Sequence, residues 1–229
     1  MHPQLTLQLD STSSASFESF YTTEANAVAV AAIAGMTHNN SADTQFFVHG
    51  PEQVGKTHLA MAACAQANSQ GYRVAYIPAE WLRQPEALVG LEQYDLVCVD
   101  EFEQLHQHAE EPWFHCINRC KASGTRLMFF CRTAVDELPL ALPDLRTRLS
   151  WGAVFALSPL SDTDLPAALS QVFAVRGMSA SEEVCHYILN RQKRDIGHLV
   201  TIVDLMDRTT LSHGRALTIP LVREALAGN

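Results

Sequence analysis

The chain contains the stretch Gly50-Pro51-Glu52-Gln53-Val54-Gly55-Lys56-Thr57, which follows the pattern G-x-x-x-x-G-K-T of a phosphate-binding loop. The apolar run Phe46-Phe47-Val48 precedes it, and an Ala-rich run starting at His58 follows it. A strand that enters the loop and a helix that leaves it are the context that this motif requires. Backbone N–H groups and the positive end of the helix then face a phosphate. The stretch therefore predicts a nucleotide-binding P-loop.

The residue types within the loop predict individual roles. Lys56 is expected to reach the terminal phosphates, and the Thr57 hydroxyl to coordinate Mg²⁺. Because the same loop would accept either nucleotide, ADP and ATP both remain open as the cofactor, together with Mg²⁺. The expected nucleotide-binding residues are Gly50, Pro51, Glu52, Gln53, Val54, Gly55, Lys56, Thr57 and His58.

A second chemical signal is the apolar run that ends in Asp100 and Glu101. Four apolar residues before two acids are typical of a buried parallel strand with carboxylates at its tip. With a P-loop upstream, Asp100 is expected to hold Mg²⁺ and Glu101 to polarise the attacking water. The alternative is an ordinary strand end whose acids are solvated.

Strand and helix patterns alternate up to residue 157, with strands expected at 46–48, 73–77, 95–100, 126–131 and 154–157. This alternation predicts an α/β fold with a parallel sheet that is covered on both faces. Helices are expected at 24–36, 58–69, 81–91 (interrupted near Pro85) and 113–121, and then at 162–176, 182–191, 195–213 and 221–227. We therefore predict a tail (1–16), a nucleotide-binding domain (17–157) and an α-helical lid domain (158–229).

Composition narrows the function classes. The 229 residues carry a formal net charge of −9, which argues against a broad, sequence-independent grip on DNA. The six cysteines lie mostly in apolar runs, so we expect buried reduced thiols, and the spacing of Cys116 and Cys120 matches no common zinc framework. With no visible signal peptide and no apolar run of about 18 residues, a cytoplasmic location and no membrane contact are expected.

Several short segments carry a resemblance: Gln4-Leu-Thr-Leu-Gln-Leu9, Phe17-Glu-Ser-Phe20, Leu142-Pro-Asp-Leu145, Pro159-Leu-Ser-Asp162 and Leu217-Thr-Ile-Pro220. With the P-loop, they make the chain resemble the AAA+ ATPases, and more closely the DnaA family and its short Hda branch. The resemblance covers nearly the whole chain and implies a five-stranded parallel sheet followed by a helical lid. Members of the Hda branch act with the replicative sliding clamp to switch off the initiator DnaA.

The resemblance also assigns roles to residues outside the P-loop. It implies a clamp-binding motif with Gln in a small polar site and leucines in an apolar pocket, formed by Gln4, Leu5, Leu7 and Leu9. Related motifs typically have Pro where this chain has Gln8, and an edge strand is the alternative interpretation. Arg148 matches the arginine finger, a residue that reaches a nucleotide on a neighbouring subunit. The alternatives for Arg148 are a surface salt bridge and substitution by Arg146.

Two positions depart from the family pattern. Arg132-Thr133 stand where a polar sensor residue is usual, and Gly197 stands at or near the place of a lid arginine, with Arg194 nearby. Both departures weaken the case for hydrolysis in cis, so we leave open whether the chain is itself an enzyme. The sequence ends after the lid, and we expect it to lack the helix-turn-helix domain with which DnaA reads its origin boxes.

The combined prediction is a regulator of replication initiation. It would bind adenine nucleotide and the sliding clamp (the DNA polymerase III beta subunit), and stimulate ATP hydrolysis by DnaA in trans. We expect a homodimer or higher self-association, with DNA contacted only through the clamp. The alternatives are a self-sufficient DnaA-like ATPase or helicase loader, and a scaffold in which the nucleotide is structural.

Overall fold

The computed structural model describes residues 15–38, 43–213 and 217–227. The chain divides into two compact units, Met1–Ser158 and Pro159–Asn229. The first unit is built on five strands, which are β1 (Gln45–His49), β2 (Val74–Ile77), β3 (Leu96–Val99), β4 (Arg126–Cys131) and β5 (Ala153–Ala156). They form one sheet in the order β2-β3-β4-β1-β5, and every pairing is parallel. The predicted five-stranded parallel sheet is confirmed.

Four α-helices of the first unit cover the sheet, namely α1 (Ala27–Met36), α2 (Lys56–Ser69), α3 (Glu110–Ser123) and α4 (Pro143–Leu149). Successive strand residues point to opposite faces, so β1 to β4 each supply two cores, whereas β5 supplies one and exposes Val154 on its other face. Phe46 and Val48 of β1 pack with residues of α1 and α2, whereas Phe47 packs with Trp113 of α3 and Leu145 of α4. This explains why the strands read as continuous apolar runs rather than alternating ones.

The prediction of a helix over residues 81–91 is wrong, whereas the interruption expected near Pro85 is present. The segment forms three short 3-10 turns, Ala79–Trp81, Pro85–Leu88 and Leu91–Gln93. Pro85 lacks the N–H that a continuing helix needs, and Gly90 takes a left-handed conformation with φ of 80°. Leu88 and Leu91 are nevertheless buried, because the turns pack against α3. The apolar spacing therefore reflects burial against α3, whereas Pro85 and Gly90 prevent the backbone from forming a continuous helix.

The second unit contains α5 (Leu165–Val175), α6 (Glu182–Leu189), α7 (Ile196–His213) and α8 (Ile219–Ala227). Its own apolar core includes Phe173, Ile188 and Val203. Helix α5 begins three residues later than predicted, and the expected reciprocal hydrogen bonds between Ser161 and Asp164 form in the turn that precedes it. The predicted all-helical character of this unit is confirmed.

The expectation of buried thiols has a structural counterpart. All six cysteines are buried free thiols. Within residues 15–38, 43–213 and 217–227, no group of three or more His, Cys, Asp and Glu side chains is arranged to hold a metal ion. Over the same ranges, no helix has the length and apolar character needed to cross a membrane.

Helix α4 is held in place by two buried polar contacts. The Glu110 carboxylate accepts the backbone N–H groups of Ala141 (3.1 Å) and Leu142 (2.6 Å), and Glu110 is only 4% exposed. The Arg146 guanidinium donates to the carbonyl oxygens of Val135, Asp136 and Leu138, each at 2.8 Å. Together, Glu110 and Arg146 provide partners for backbone N–H groups and for backbone carbonyl oxygens in the segment that leads into α4.

Replacing Glu110 by alanine is expected to lower the free energy of unfolding by about 2–3 kcal/mol, because two backbone N–H groups lose the buried carboxylate that accepts from them. Chemical denaturation at neutral pH measures this loss. Glu111→Ala is the matched control on the same helix, where the carboxylate is exposed and faces only His115. Equal stabilities for the two variants would contradict the role assigned to Glu110.

Candidate functional site

The P-loop joins the carboxyl end of β1 to the start of α2. Gly55 precedes the helix with φ of 94°, and a Cβ there would lie 2.6 Å from the Phe20 ring. A side chain at this position would therefore meet both backbone strain and a collision. Gln53 also has a positive φ, of 63°. The loop thus has the tight curl that turns successive N–H groups toward an anion, and the first-turn N–H groups of α2 lack intrahelical acceptors.

Lys56 supplies a buried cation to this loop. Its Nζ donates to the carbonyl oxygens of Gly50 and Pro51, both at 2.7 Å, and the residue is 9% exposed. Burial lowers the pKa of Lys56, and the charges of Glu103 and Asp100 act in the opposite direction. A cation held by neutral carbonyls within an N–H-lined loop suits a phosphate group, so the residues present fit a nucleotide. Thr57, next in the chain, is exposed.

Asp100 lies at the tip of β3 with a fixed orientation. It is 2% exposed, and its two oxygens accept from the Tyr76 hydroxyl (2.8 Å) and the Glu101 backbone N–H (3.0 Å). Burial and the neighbouring Asp100 carboxylate raise the pKa of Tyr76, so this hydroxyl remains a donor. Hard oxygen ligands of this kind suit Mg²⁺. The solvated-acid alternative for Asp100 is therefore wrong.

Glu101 has a strained backbone and an acidic neighbourhood. Its φ is 49°, uncommon for a residue other than glycine, and Gln104 Nε2 donates to its carboxylate at 3.0 Å. Burial raises the pKa of Glu101, as do the charges of Asp100 and Glu103, while Arg132 and Lys56 act against the rise. These interactions place Glu101 in the same electrostatic environment as Lys56 and Asp100.

Arg132, which the sequence analysis placed at the sensor position, makes two ion pairs that the sequence did not predict. Directly after β4, it forms an ion pair with Glu52 of the P-loop and another, 3.7 Å long, with Glu103. The Glu103 carboxylate also accepts the Arg132 backbone N–H at 3.0 Å. The available signal was the place of Arg132 at the carboxyl tip of a strand, where ligands gather in open α/β sheets.

His58 anchors the segment before α1 to the start of α2. Its Nε2 lies 2.9 Å from the Ser16 carbonyl oxygen and 3.0 Å from Ser19 Oγ. The Phe20 ring, 5.8 Å from the imidazole between centroids, also covers Gly55. The segment around residues 16–20 therefore lies against the P-loop, and it includes the Phe17-Glu-Ser-Phe20 signature.

Arg148 lies at the opposite edge of the sheet from the P-loop. Its carbonyl oxygen accepts from the side chain of Gln45, the first residue of β1, at 2.7 Å, whereas the P-loop follows His49, the last residue of that strand. The rise of a strand puts about 13 Å between those two ends. The Arg148 guanidinium lies over the Trp151 ring, 3.8 Å from its centroid. Arg148 is thus not brought together with Lys56, Asp100 and Glu101.

The alternatives for Arg148 are not supported by the contacts. Within the described part of the chain, its guanidinium makes no ion pair, and its buried Nε has no hydrogen-bond partner. The hypothesis that Arg146 could substitute is wrong, because the Arg146 guanidinium is bound to the backbone carbonyls that lead into α4. Of the two arginines of this helix, Arg148 is therefore the one whose guanidinium is not bound to backbone carbonyl oxygens.

The remaining predicted positions lie in the second unit or outside the described residues. Arg194 forms an ion pair with Asp162 at 3.0 Å, and Gly197, in the first turn of α7, donates its N–H to Asp195. The predicted clamp-binding residues lie outside the residues that the structure describes, and these are Gln4, Leu5, Leu7 and Leu9.

Replacing Glu101 by glutamine is expected to stabilise the protein at pH 7 and not at low pH. A raised carboxyl pKa in the folded state means that stability falls as pH rises from the unfolded pKa through the folded one. The glutamine amide carries no charge, so this loss of stability does not occur in the variant. The expected gain in the free energy of unfolding at pH 7 is less than about 1 kcal/mol, because solvent screens the charges. Thermal unfolding at pH 4 and pH 7 measures it, with exposed Glu86→Gln as the control. A gain that is equal at both pH values would contradict this electrostatic account.

Comparison with known families accounts for both units. Residues 12–156, more than half of the chain, match the family model of the bacterial DnaA ATPase domain, and residues 162–226 match that of the Hda lid domain. The resemblance inferred from the short sequence segments is therefore confirmed.

Solved structures agree on the fold. Domain III of the replication initiation protein DnaA from Thermotoga maritima has a TM-score of 0.77 at 18% identity, over 93% of this chain and 95% of that one. AMPPCP-bound DnaA from Aquifex aeolicus has a TM-score of 0.72 at 20% identity, over 86% of this chain and 66% of that one. The RuvB Holliday junction branch migration motor of T. maritima has a TM-score of 0.68 at 13% identity, over 93% and 71%. The chain belongs to the AAA+ family of the bacterial DnaA ATPase domain and carries a helical unit that matches the Hda lid.

Proposed function

We propose that this protein is an Hda-like regulator of replication initiation. It binds adenine nucleotide and the sliding clamp, and it stimulates ATP hydrolysis by DnaA in trans. The DnaA and Hda-lid matches support a role in initiation. The observation that carries the proposal is the placement of Arg148, which has an available guanidinium at the sheet edge opposite the P-loop.

The nucleotide is held by the P-loop, residues 50–58. Lys56 and the backbone N–H groups between Glu52 and Thr57 bind the phosphates, and Thr57 and Asp100 hold Mg²⁺, directly or through water. When bound, the metal ion neutralises charge on the phosphates. The AMPPCP-bound Aquifex relative supports an adenine nucleotide, as ADP or ATP. Tyr76 keeps the Asp100 carboxylate pointed in one direction.

Arg148 acts on a nucleotide bound by another molecule. A guanidinium that is offered in trans stabilises the charge that develops on the transferred phosphoryl group. Arg148 suits this role because it lies about one strand length from its own P-loop and because it stacks on Trp151. Stacking holds the planar group without using all its N–H donors. An arginine finger works at a subunit boundary, which favours assembly with DnaA and self-association.

The clamp provides the tether. The motif formed by Gln4, Leu5, Leu7 and Leu9 offers the polar and apolar groups that a clamp groove binds. DNA is contacted only through the clamp, in keeping with the formal net charge of −9.

The test is hydrolysis of ATP by DnaA in the presence of DNA-loaded clamp. The complete protein is expected to stimulate hydrolysis, and both Arg148→Ala and deletion of residues 1–9 are expected to lose stimulation at least tenfold, since arginine fingers contribute about 10³-fold or more. The deletion also abolishes clamp binding and leaves nucleotide binding unchanged. Each effect is read from the phosphate release rate and a clamp pull-down.

Arg83→Ala is the matched control, because Arg83 is an exposed arginine of the same unit. Full stimulation by Arg148→Ala would contradict the finger and favour a scaffold whose nucleotide is structural. Clamp binding that survives the deletion would contradict the tether and leave the finger untouched.

A self-sufficient ATPase is the second candidate, and the pair Asp100 and Glu101 at the tip of β3 favours it. It predicts turnover by the isolated protein that falls at least tenfold in Glu101→Gln, because the attacking water loses its base. Phosphate release without DnaA measures this turnover. Turnover by the isolated protein, combined with no effect on DnaA, would favour this candidate over the regulator.

A further inference from the structure

Arg132 connects the P-loop to the segment after β3. One end of its guanidinium pairs with Glu52 in the P-loop, and Nε faces Glu103 in the 3-10 turn Phe102–Gln104. The backbone N–H of Arg132 donates to the same Glu103 carboxylate. A residue at the tip of β4 thus joins two segments that are far apart in the chain and that both border the site of Lys56.

The charged side chains around the P-loop are predominantly acidic. Glu52, Asp100, Glu101 and Glu103 contribute four carboxylates, and Lys56 and Arg132 contribute two cations. The excess of two negative charges opposes an incoming anion. Without Arg132 the excess would be three, and Glu52 and Glu103 would have lost the cation that faces them.

We propose that Arg132 is a positioning residue that acts as a fixed counter-charge, neutralising Glu52 and Glu103 so that the P-loop can hold a nucleoside di- or triphosphate. This inference rests on the nucleotide binding in the proposed function and names the group that makes such binding possible in an acidic site. Arg132 acts through the two carboxylates, because its guanidinium is already engaged with both.

The solvent exposure of Arg132, Glu52 and Glu103 determines how strongly the loss of Arg132 should weaken nucleotide binding. Arg132 and Glu52 are at least half exposed, whereas Glu103 is 18% exposed. Exposed ion pairs are screened by solvent and salt, and the more enclosed Glu103 is screened less. Removing Arg132 is therefore expected to weaken nucleotide binding roughly threefold to tenfold at low salt, with a smaller effect at high salt.

The experiment measures the affinity of the complete protein for a fluorescent ADP derivative and for Mg²⁺ with a fluorescent ATP derivative. Arg132→Ala is expected to bind both more weakly. The triple variant Glu52→Gln, Arg132→Ala and Glu103→Gln is expected to return to within about twofold of wild type, because the uncompensated charges are gone. The double variant Glu52→Gln and Glu103→Gln, which keeps Arg132, is expected to bind more tightly than wild type. Thermal unfolding without nucleotide checks that each variant is folded.

The outcomes separate this inference from the proposed function. If wild type binds nucleotide and Arg132→Ala binds equally well, the counter-charge role is overturned and the proposed function stands. If the triple variant stays as weak as Arg132→Ala, the arginine contacts the phosphate itself, which also overturns the role. If wild type binds no better than Lys56→Ala, nucleotide binding fails and the inference fails with it. Arg83→Ala controls for the loss of one positive charge elsewhere in the unit.

Discussion

The direction of β1 is the constraint on which the arrangement of the site depends. The strand lies between β4 and β5, and all three run parallel. Its carboxyl end therefore opens into the P-loop, while Gln45 at its amino end binds the carbonyl oxygens of Arg148 and Leu149. Parallel strands place the tips that carry ligands at one edge of a sheet. The phosphate loop and Arg148 are consequently at opposite edges, and this separation supports the proposed action of Arg148 in trans.

Side-chain to backbone hydrogen bonds hold the segments at these edges in position relative to the helices. Glu110 and Arg146 bind the backbone that leads into α4, and the last turn of α4 contains Arg148. At the other side of the unit, the Asn26 side chain both donates to and accepts from the backbone of Ser158. Each contact satisfies buried backbone groups that would otherwise be costly. They locate the functional segments without being part of the chemistry.

The P-loop edge of the sheet combines the geometry of a phosphate-binding loop with acidic side chains. Gly55 and Lys56 supply the curl and the cation that the motif requires. Glu52, at a variable position of the motif, introduces a carboxylate beside them, and Arg132 pairs with it. The residue at the sensor position is thus engaged with protein carboxylates. The geometry of a phosphate-binding loop is thus combined with acidic side chains around it.

Many features of this protein depend on residues close together in the chain, and the sequence by itself determined these features. The P-loop, the acidic end of β3, the parallel α/β order and the helical second unit all follow from apolar runs and residue types within short windows. The apolar spacing at residues 81–91 predicted a helix that the structure does not contain. Pro85 and Gly90 prevent a continuous helix there, and the apolar residues are spaced to pack against α3. Only the tertiary structure showed that Arg146 is bound to backbone, that Arg148 is available, and that Arg132 joins Glu52 to Glu103. Those outcomes depend on which strand tips and loops become neighbours, and contacts between segments far apart in the chain leave no periodic signal in the sequence.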